Sequence, residues 1–148
     1  MRKLFVFVVC FLVANLHGLA LTAGSNAAYL KGQSESGRTQ FICELQDVTA
    51  GLIRASWRID SHTLSFGEDD EAHVIYDLAN QVFCIVLKDA QGHFVYFWVL
   101  PKSIRKISGD WFRGRFEFKA KVYGTDPRPD KGGQSPETIL RCTFAYEV

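Results

Sequence analysis

The stretch WFRGRFEFKAKVY, residues 111–123, alternates between two kinds of side chain. Its even-numbered positions carry Phe, Gly, Phe, Phe, Ala and Val, and most of its odd-numbered positions are charged. A period of two predicts a β-strand, because successive side chains of a strand point to opposite faces of the sheet. One face of this strand is therefore expected to meet a core and the other to meet water.

Seven further segments show strand character and are separated by turn residues. Their ranges are 40–48, 52–60, 64–66, 73–78, 82–88, 93–100 and 138–148. The hairpin over 82–100 is apolar on both faces, which predicts two central strands. The sequence thus predicts an all-β fold of about eight antiparallel strands, arranged as a meander in a small barrel or a two-sheet sandwich.

Length and composition fit one globular domain. The chain has 148 residues, of which 47% are hydrophobic and 22% are charged. That is enough material for one core and too little for two. The formal net charge is +1, and it becomes −1 if Arg2 and Lys3 are removed with a signal peptide. A charge so close to zero gives no reason to expect nucleic acid as a partner.

The N-terminus has the three parts of a signal peptide: two basic residues, an apolar run over 4–16 and small residues from position 18 onward. The run is shorter than the roughly 20 apolar residues that a membrane-spanning helix needs. We therefore expect export and cleavage after Ala20, with Ala23 and Ala27 as later alternatives, and no permanent membrane anchor.

Three regions follow from this interpretation. Residues 1–20 are expected to be the signal peptide, residues 21–39 a flexible polar leader, and residues 40–148 a single β domain. The mature protein is expected to be periplasmic or secreted, and monomeric.

Removal of Cys10 with the signal peptide would leave Cys43, Cys84 and Cys142. Strand phase places Cys43 and Cys142 on core-facing positions of the first and last predicted strands, so we expect a disulfide between them in an oxidising compartment. Closing a loop of about 100 residues would stabilise the fold by about 4 to 5 kcal/mol and would favour the barrel. Cys84 is expected to be an inert buried thiol.

The outward face of residues 111–123 is the most suggestive surface, because two aromatic side chains bracket four cations. The candidate binding residues are Trp111, Arg113, Arg115, Lys119, Lys121 and Tyr123, with Arg128 of the loop over 124–136 as a further candidate. Charge and stacking suit an acidic glycan, a phosphorylated ligand or an acidic protein. The plainer explanation is a solvated strand face whose lysines protect an edge.

The sequence predicts no catalytic residue, cofactor or metal site. The leading hypothesis is a non-enzymatic exported binding module for a protein or a glycan. One alternative is a carrier of a small apolar ligand. Its expected cavity is lined by Phe94, Trp98, Phe116 and Phe118. The weakest alternative is a hydrolase built around His62, His73 or His93, since the consecutive residues 60–62 cannot form a catalytic triad.

The predicted architecture resembles that of small exported β-barrels, including lipocalin-like and lysozyme-inhibitor-like proteins. The features that carry this resemblance are the export signal, the count of strands and the expected link between the first and last strands. The resemblance covers architecture only, so it implies no active or binding residue.

Overall fold

The computed structural model of this protein describes residues 15–16, 19–20, 27–46, 49–111 and 113–147. β1 (Asn15–Leu16) and β2 (Leu19–Ala20) form a two-stranded pair of their own, and ten strands form one antiparallel sheet. The strands of this sheet are β3 (Ala27–Gln33), β4 (Thr39–Gln46), β5 (Gly51–Ile59), β6 (His62–Gly67), β7 (Glu71–Asp77), β8 (Val82–Lys88), β9 (Phe94–Val99), β10 (Arg105–Gly109), β11 (Gly114–Gly124) and β12 (Thr138–Glu147). Among the described residues, no helix has the length and apolar character needed to cross a membrane.

The sheet curls into a barrel-like shape. Its order is β6-β5-β4-β3-β12-β11-β9-β8-β7, with β10 paired to β11 beside the end of β9. Neighbouring strands are close in sequence, except where the last strand β12 pairs with β3. The all-β, meander-like and barrel-like predictions are therefore confirmed. The two ends of the sheet, β6 and β7, follow each other in the chain without a ladder between them.

The sheet contains two strands more than the eight predicted, and the first of them corrects the flexible leader. β3 lies within residues 21–39 and is hydrogen-bonded on both sides, to β12 and to β4. Ala28 and Leu30 on it are fully buried. The β domain thus includes residue 27 onward and does not begin at Gln40. The sequence does not predict this strand because two of its core-facing positions, Ala28 and Gly32, hold small residues, which give a weak hydrophobic signal beside the polar residues that follow.

Gly32 of β3 shows why small residues are needed there. A Cβ atom at this position would lie 2.8 Å from the Sγ atom of Cys142 and 3.0 Å from a methyl carbon of Leu140. Both side chains belong to the neighbouring strand β12. The close packing of β12 against β3 therefore depends on the missing side chain of Gly32.

The expected disulfide between Cys43 and Cys142 is wrong. Both side chains face the core as predicted, but both thiols are free. The physical reason is the position of β3, which pairs with Cys43 of β4 on one side and with Cys142 of β12 on the other. Two strand spacings amount to roughly 9.6 Å, whereas a disulfide needs Cα atoms within about 7 Å of each other.

β10 is the second strand that the sequence does not predict, since its residues read as a basic connection. Pro101 ends the preceding strand, and the chain then returns to β11 further along the same edge. Lys119 lies between the two paired stretches of β11. Its backbone N–H donates to the Ser103 hydroxyl at 3.2 Å, and this hydroxyl donates to the Leu100 carbonyl at 2.8 Å. The hydroxyl thus takes the place of a missing strand neighbour.

One core fills the inside of the curl. Its largest fully buried side chains are Trp57, Phe41, Phe83, Phe97, Phe116 and Phe144. Phe83 and Phe144 meet edge to face with ring centroids 4.8 Å apart, a favourable arrangement for aromatic pairs. The rings occupy the interior that a carrier would need for its ligand.

The four residues expected to line a ligand cavity do not face one another. Phe116 and Phe118 are buried in the core, whereas Phe94 and Trp98 lie on the outer face of the sheet. On β9 the inward positions are Val95, Phe97 and Val99, so the phase of that strand places its other aromatic residues outside.

The signal-peptide prediction falls mainly on residues outside the described ones, so it stays a prediction. Cleavage after Ala27 would cut the chain just inside β3, whereas cleavage after Ala20 or Ala23 would leave that strand whole.

Candidate functional site

The alternation predicted for residues 111–123 is present in β11. Phe116, Phe118, Ala120 and Val122 are buried, and the odd-numbered positions face outward. Position 112 lies outside the described residues.

Trp111 and Arg113 lie in the turn that leads from β10 into β11. The indole ring of Trp111 stacks on Phe116 with centroids 5.4 Å apart, and the Lys106 ammonium nitrogen lies 5.5 Å from the indole centroid. The Trp111 carbonyl also accepts a hydrogen bond from the hydroxyl of Tyr146. Arg113 is exposed. The Trp111 ring thus packs against a core-facing residue of β11, whereas the candidates on that strand itself point outward.

The cations of β11 have different surroundings. The Lys121 ammonium nitrogen lies 3.4 Å from a carboxylate oxygen of Glu137, and Glu117 pairs with an arginine of β10. Arg115 is half-buried, whereas Lys119 is exposed. Lys119 has no ion pair with any carboxylate among the described residues. Arg115 likewise has no ion pair among the described residues, so Lys121 is the one cation of β11 there that is paired with a carboxylate.

Tyr123 belongs to an aromatic cluster that the sequence did not predict. The cluster consists of Phe94, Tyr96, Trp98 and Tyr123, all on the outer face of β9 and β11. The ring of Tyr123 lies 5.1 Å from that of Tyr96 and 5.7 Å from that of Trp98, both edge to face. Phe94, Tyr96 and Trp98 occupy alternate positions of β9, and this spacing could have predicted that they share one face. Because the run is apolar at every position, however, the sequence predicts a central strand that is buried on both faces.

Aliphatic side chains continue the apolar surface on either side of the cluster. Ile75 of β7 is 65% exposed, and Ile139 of β12 is 44% exposed. The ladder places Ile75, Cys84, Trp98, Lys121 and Ile139 in one row across five strands. Cys84, expected to be buried, is half-buried in this row. Exposed apolar side chains that adjoin one another in this way are typical of interaction surfaces.

Arg128 does not extend from its loop toward a partner. Its guanidinium lies 2.7 Å from Asp126 and 3.4 Å from Asp60, and its side chain is 18% exposed. The hydrogen bond from Arg128 holds the pKa of the Asp126 carboxyl below its usual value, and the hydrogen bond from Arg38 does the same for Asp60. Arg128 therefore ties the loop over 124–136 to the end of β5.

The three histidines considered for a hydrolase lie on or beside different strands, and two of them contact a carboxylate nearby in the chain. His93 Nδ1 lies 2.7 Å from Asp89, and His73 Nε2 lies 3.2 Å from Glu71, each within its own hairpin. Burial raises the pKa values of the Cys43 and Cys142 thiols, which keeps them neutral. In the part of the chain that the structure describes, no three His, Cys, Asp or Glu side chains are grouped as a metal site would require.

Comparisons with protein-family models, with curated proteins and with solved structures find no match to this chain. The functional proposal therefore rests on the chain's own residues. The area that differs most from an ordinary solvated strand face is the aromatic cluster together with the cations beside it.

Proposed function

We propose that this protein is a non-enzymatic exported binding module that recognises a protein or glycan partner through the outer face of β9 and β11. The observation that carries the proposal is the aromatic cluster. Its four rings pack against one another outside a sheet whose inner face already encloses a filled core. Rings in this position add little to the core, and a partner that covered them would remove their apolar surface from water.

The charge beside the cluster supports an acidic partner. Lys121 lies directly opposite Trp98 in the ladder between β11 and β9, and Lys119 is the next outward residue on β11. Cations next to aromatic faces favour ligands that combine an apolar or sugar surface with negative charge. Such complementarity raises the rate and the specificity of association.

The two alternatives receive less support from the arrangement of residues. A carrier needs an interior cavity, and Phe94 and Trp98 face away from the interior. A hydrolase needs a nucleophile or an activated water beside a base, and the carboxylate contacts of His73 and His93 are local pairs within single hairpins.

The test replaces Trp98 and Tyr123 together by alanine in the mature protein. Immobilised wild type is exposed to an extract of its own compartment and to a panel of glycans, and retained molecules are identified. We expect the double variant to lose the retained partner, while Tyr29→Ala keeps it. Tyr29 is the matched control because it is a half-buried outward tyrosine on β3, two strands away from β11.

Circular dichroism and thermal unfolding of each variant establish that the fold is intact. Equal retention by the double variant and by wild type would show that this face is not the site. Failure of wild-type protein to retain any molecule would contradict the binding-module proposal itself.

A further inference from the structure

Two shallow grooves meet on the outer face of the sheet, next to the aromatic cluster. The first has a volume of about 490 Å³ and crosses from β10 to β12, and the second has a volume of about 410 Å³ and crosses from β12 to β3. Arg141 and Thr143 line both of them. They therefore form one continuous channel that runs across the strands, which we call the cationic groove. Its polar lining includes Ser103, Arg105, Lys119, Arg141, Thr143 and Lys31.

The charges in the cationic groove repel one another in the free protein. Lys119 lies directly opposite Arg141 in the ladder, and Lys31 lies opposite Thr143 in the next row. Like charges that face each other across a ladder are destabilising. None of these three cations forms an ion pair with a carboxylate among the residues that the structure describes.

The acidic groups near the groove leave this positive charge in place. Glu117 faces the same groove, but it is paired with Arg105. Glu35 lines only the far end of the second groove. The middle of the groove is therefore a run of cations to which a ligand with repeated negative charges would add the missing partners.

The lining of the groove favours a sugar polymer over an acidic protein. Protein interfaces are anchored by apolar and aromatic side chains that fill pockets, and their centres contain few charged residues. Here the apolar lining is Phe118 and Cys142, which are only 4% and 2% exposed. The remaining lining is polar or charged. It combines the cations with two carboxylates near its edges and with the side chains of Ser103, Gln33 and Thr143, which suit the hydroxyl groups of a hydrated chain of sugars.

The position of the aromatic cluster agrees with this ligand class. Tyr123, Lys121 and Lys119 are successive outward residues of β11, so the rings and the groove adjoin along one strand. A single anionic chain that crosses the strands can pair with the cations and place one sugar ring against Trp98 or Tyr123. Stacking of that kind would add apolar contact that charge alone does not supply.

We propose that the cationic groove binds an anionic polysaccharide whose carboxylate or sulfate groups pair with Lys119 and Arg141. This inference rests on the proposed function and specifies its ligand class.

The experiment measures binding of the mature protein at physiological salt to four polymers. Heparin is the sulfated probe, polygalacturonate the carboxylated probe, dextran the neutral sugar and poly-L-glutamate the acidic peptide. We expect heparin or polygalacturonate to bind at least about tenfold more tightly than poly-L-glutamate, and dextran not to bind. The affinity should fall as salt is added, because bound polyanions release counterions.

The variant Arg141→Glu should weaken binding of the preferred polysaccharide by at least about tenfold, since it removes a cation and introduces repulsion. Lys131→Glu makes the same change of net charge on an exposed turn outside the groove and should leave the affinity within about twofold of wild type.

Equal losses in both variants would show a response to overall charge and would overturn the groove as the site. Binding of poly-L-glutamate as tight as that of either polysaccharide would overturn the ligand class. If neither polysaccharide bound, the ligand class would also be overturned. The proposed function would still stand in that case if the protein captured a protein partner and the double alanine variant of the aromatic cluster lost it.

Discussion

Unfolding of the protein with and without a reducing agent tests whether β3 lies between β4 and β12. Because β3 separates Cys43 of β4 from Cys142 of β12, we expect no bridge between these two cysteines under oxidising conditions. A reducing agent should then leave the free energy of unfolding unchanged. If β4 and β12 were instead neighbours joined by a disulfide, closure of a loop of about 100 residues would contribute about 4.7 kcal/mol at 25 °C, and reduction would remove it.

Urea unfolding with and without a reducing agent measures this difference. We expect the two unfolding midpoints to coincide. With a urea m-value of about 1 to 3 kcal/mol per molar, a loss of about 4.7 kcal/mol would move the midpoint by roughly 1.5 M or more, which is readily detected. Such a shift would refute the strand order β4-β3-β12.

A count of reactive thiols checks the same point without measuring stability. In denaturant a protein that begins after the predicted cleavage at Ala20 should expose three thiols, at Cys43, Cys84 and Cys142. In the folded state only Cys84 should react readily, because burial shields the other two and raises their pKa values. One reactive thiol in non-reducing denaturant would instead indicate a bridged pair and contradict the position of β3.

Two further predictions concern stability. Gly32→Ala should lower the free energy of unfolding by about 1 to 3 kcal/mol through overpacking against Cys142. Adding Cys142→Ala should recover part of that loss in a double-mutant cycle, and strictly additive losses would contradict the contact. The hydrogen bond from Arg128 lowers the pKa of Asp126 in the folded state. The ionised Asp126 carboxylate therefore stabilises the fold fully above the ordinary carboxyl pKa of about 4, and this stabilisation is lost as the pH falls through the lower pKa of the folded state. Asp126→Asn should therefore lower stability at pH 7 and flatten its decline in acid, as followed by urea midpoints from pH 7 to pH 2. An unchanged acid decline would show that this carboxylate does not contribute to it.

The sequence predicted strands well where their pattern was strong and failed where it was weak. Residues 111–123 alternate over a long run, and β11 forms there with the predicted faces. The run of β3 is short and holds Ala and Gly at inward positions, so its burial depends on neighbours that periodicity does not reveal. The missed strand then led to the wrong disulfide, since two core-facing cysteines appeared adjacent once the strand between them was overlooked.

The sequence likewise predicted one part of the candidate site and missed another. The outward positions of β11 follow from its period, and the sequence therefore named Lys119, Lys121 and Tyr123. The remaining aromatic side chains of the cluster come from another strand, and the groove gains Arg141 from a third. Arg128, although far along the chain from Asp60, contacts it in the fold and so is held in place. These contacts depend on which strands pair and in which register.

The sequence by itself determined the all-β class and the inward and outward faces of the long strands, because side-chain alternation is a local property of an extended backbone. Tertiary structure decided which strands lie side by side, and with them the free thiols, the aromatic cluster and the cationic groove. The physical reason is that pairing joins residues distant in the chain, and a register is settled only when all the strands together bury one core.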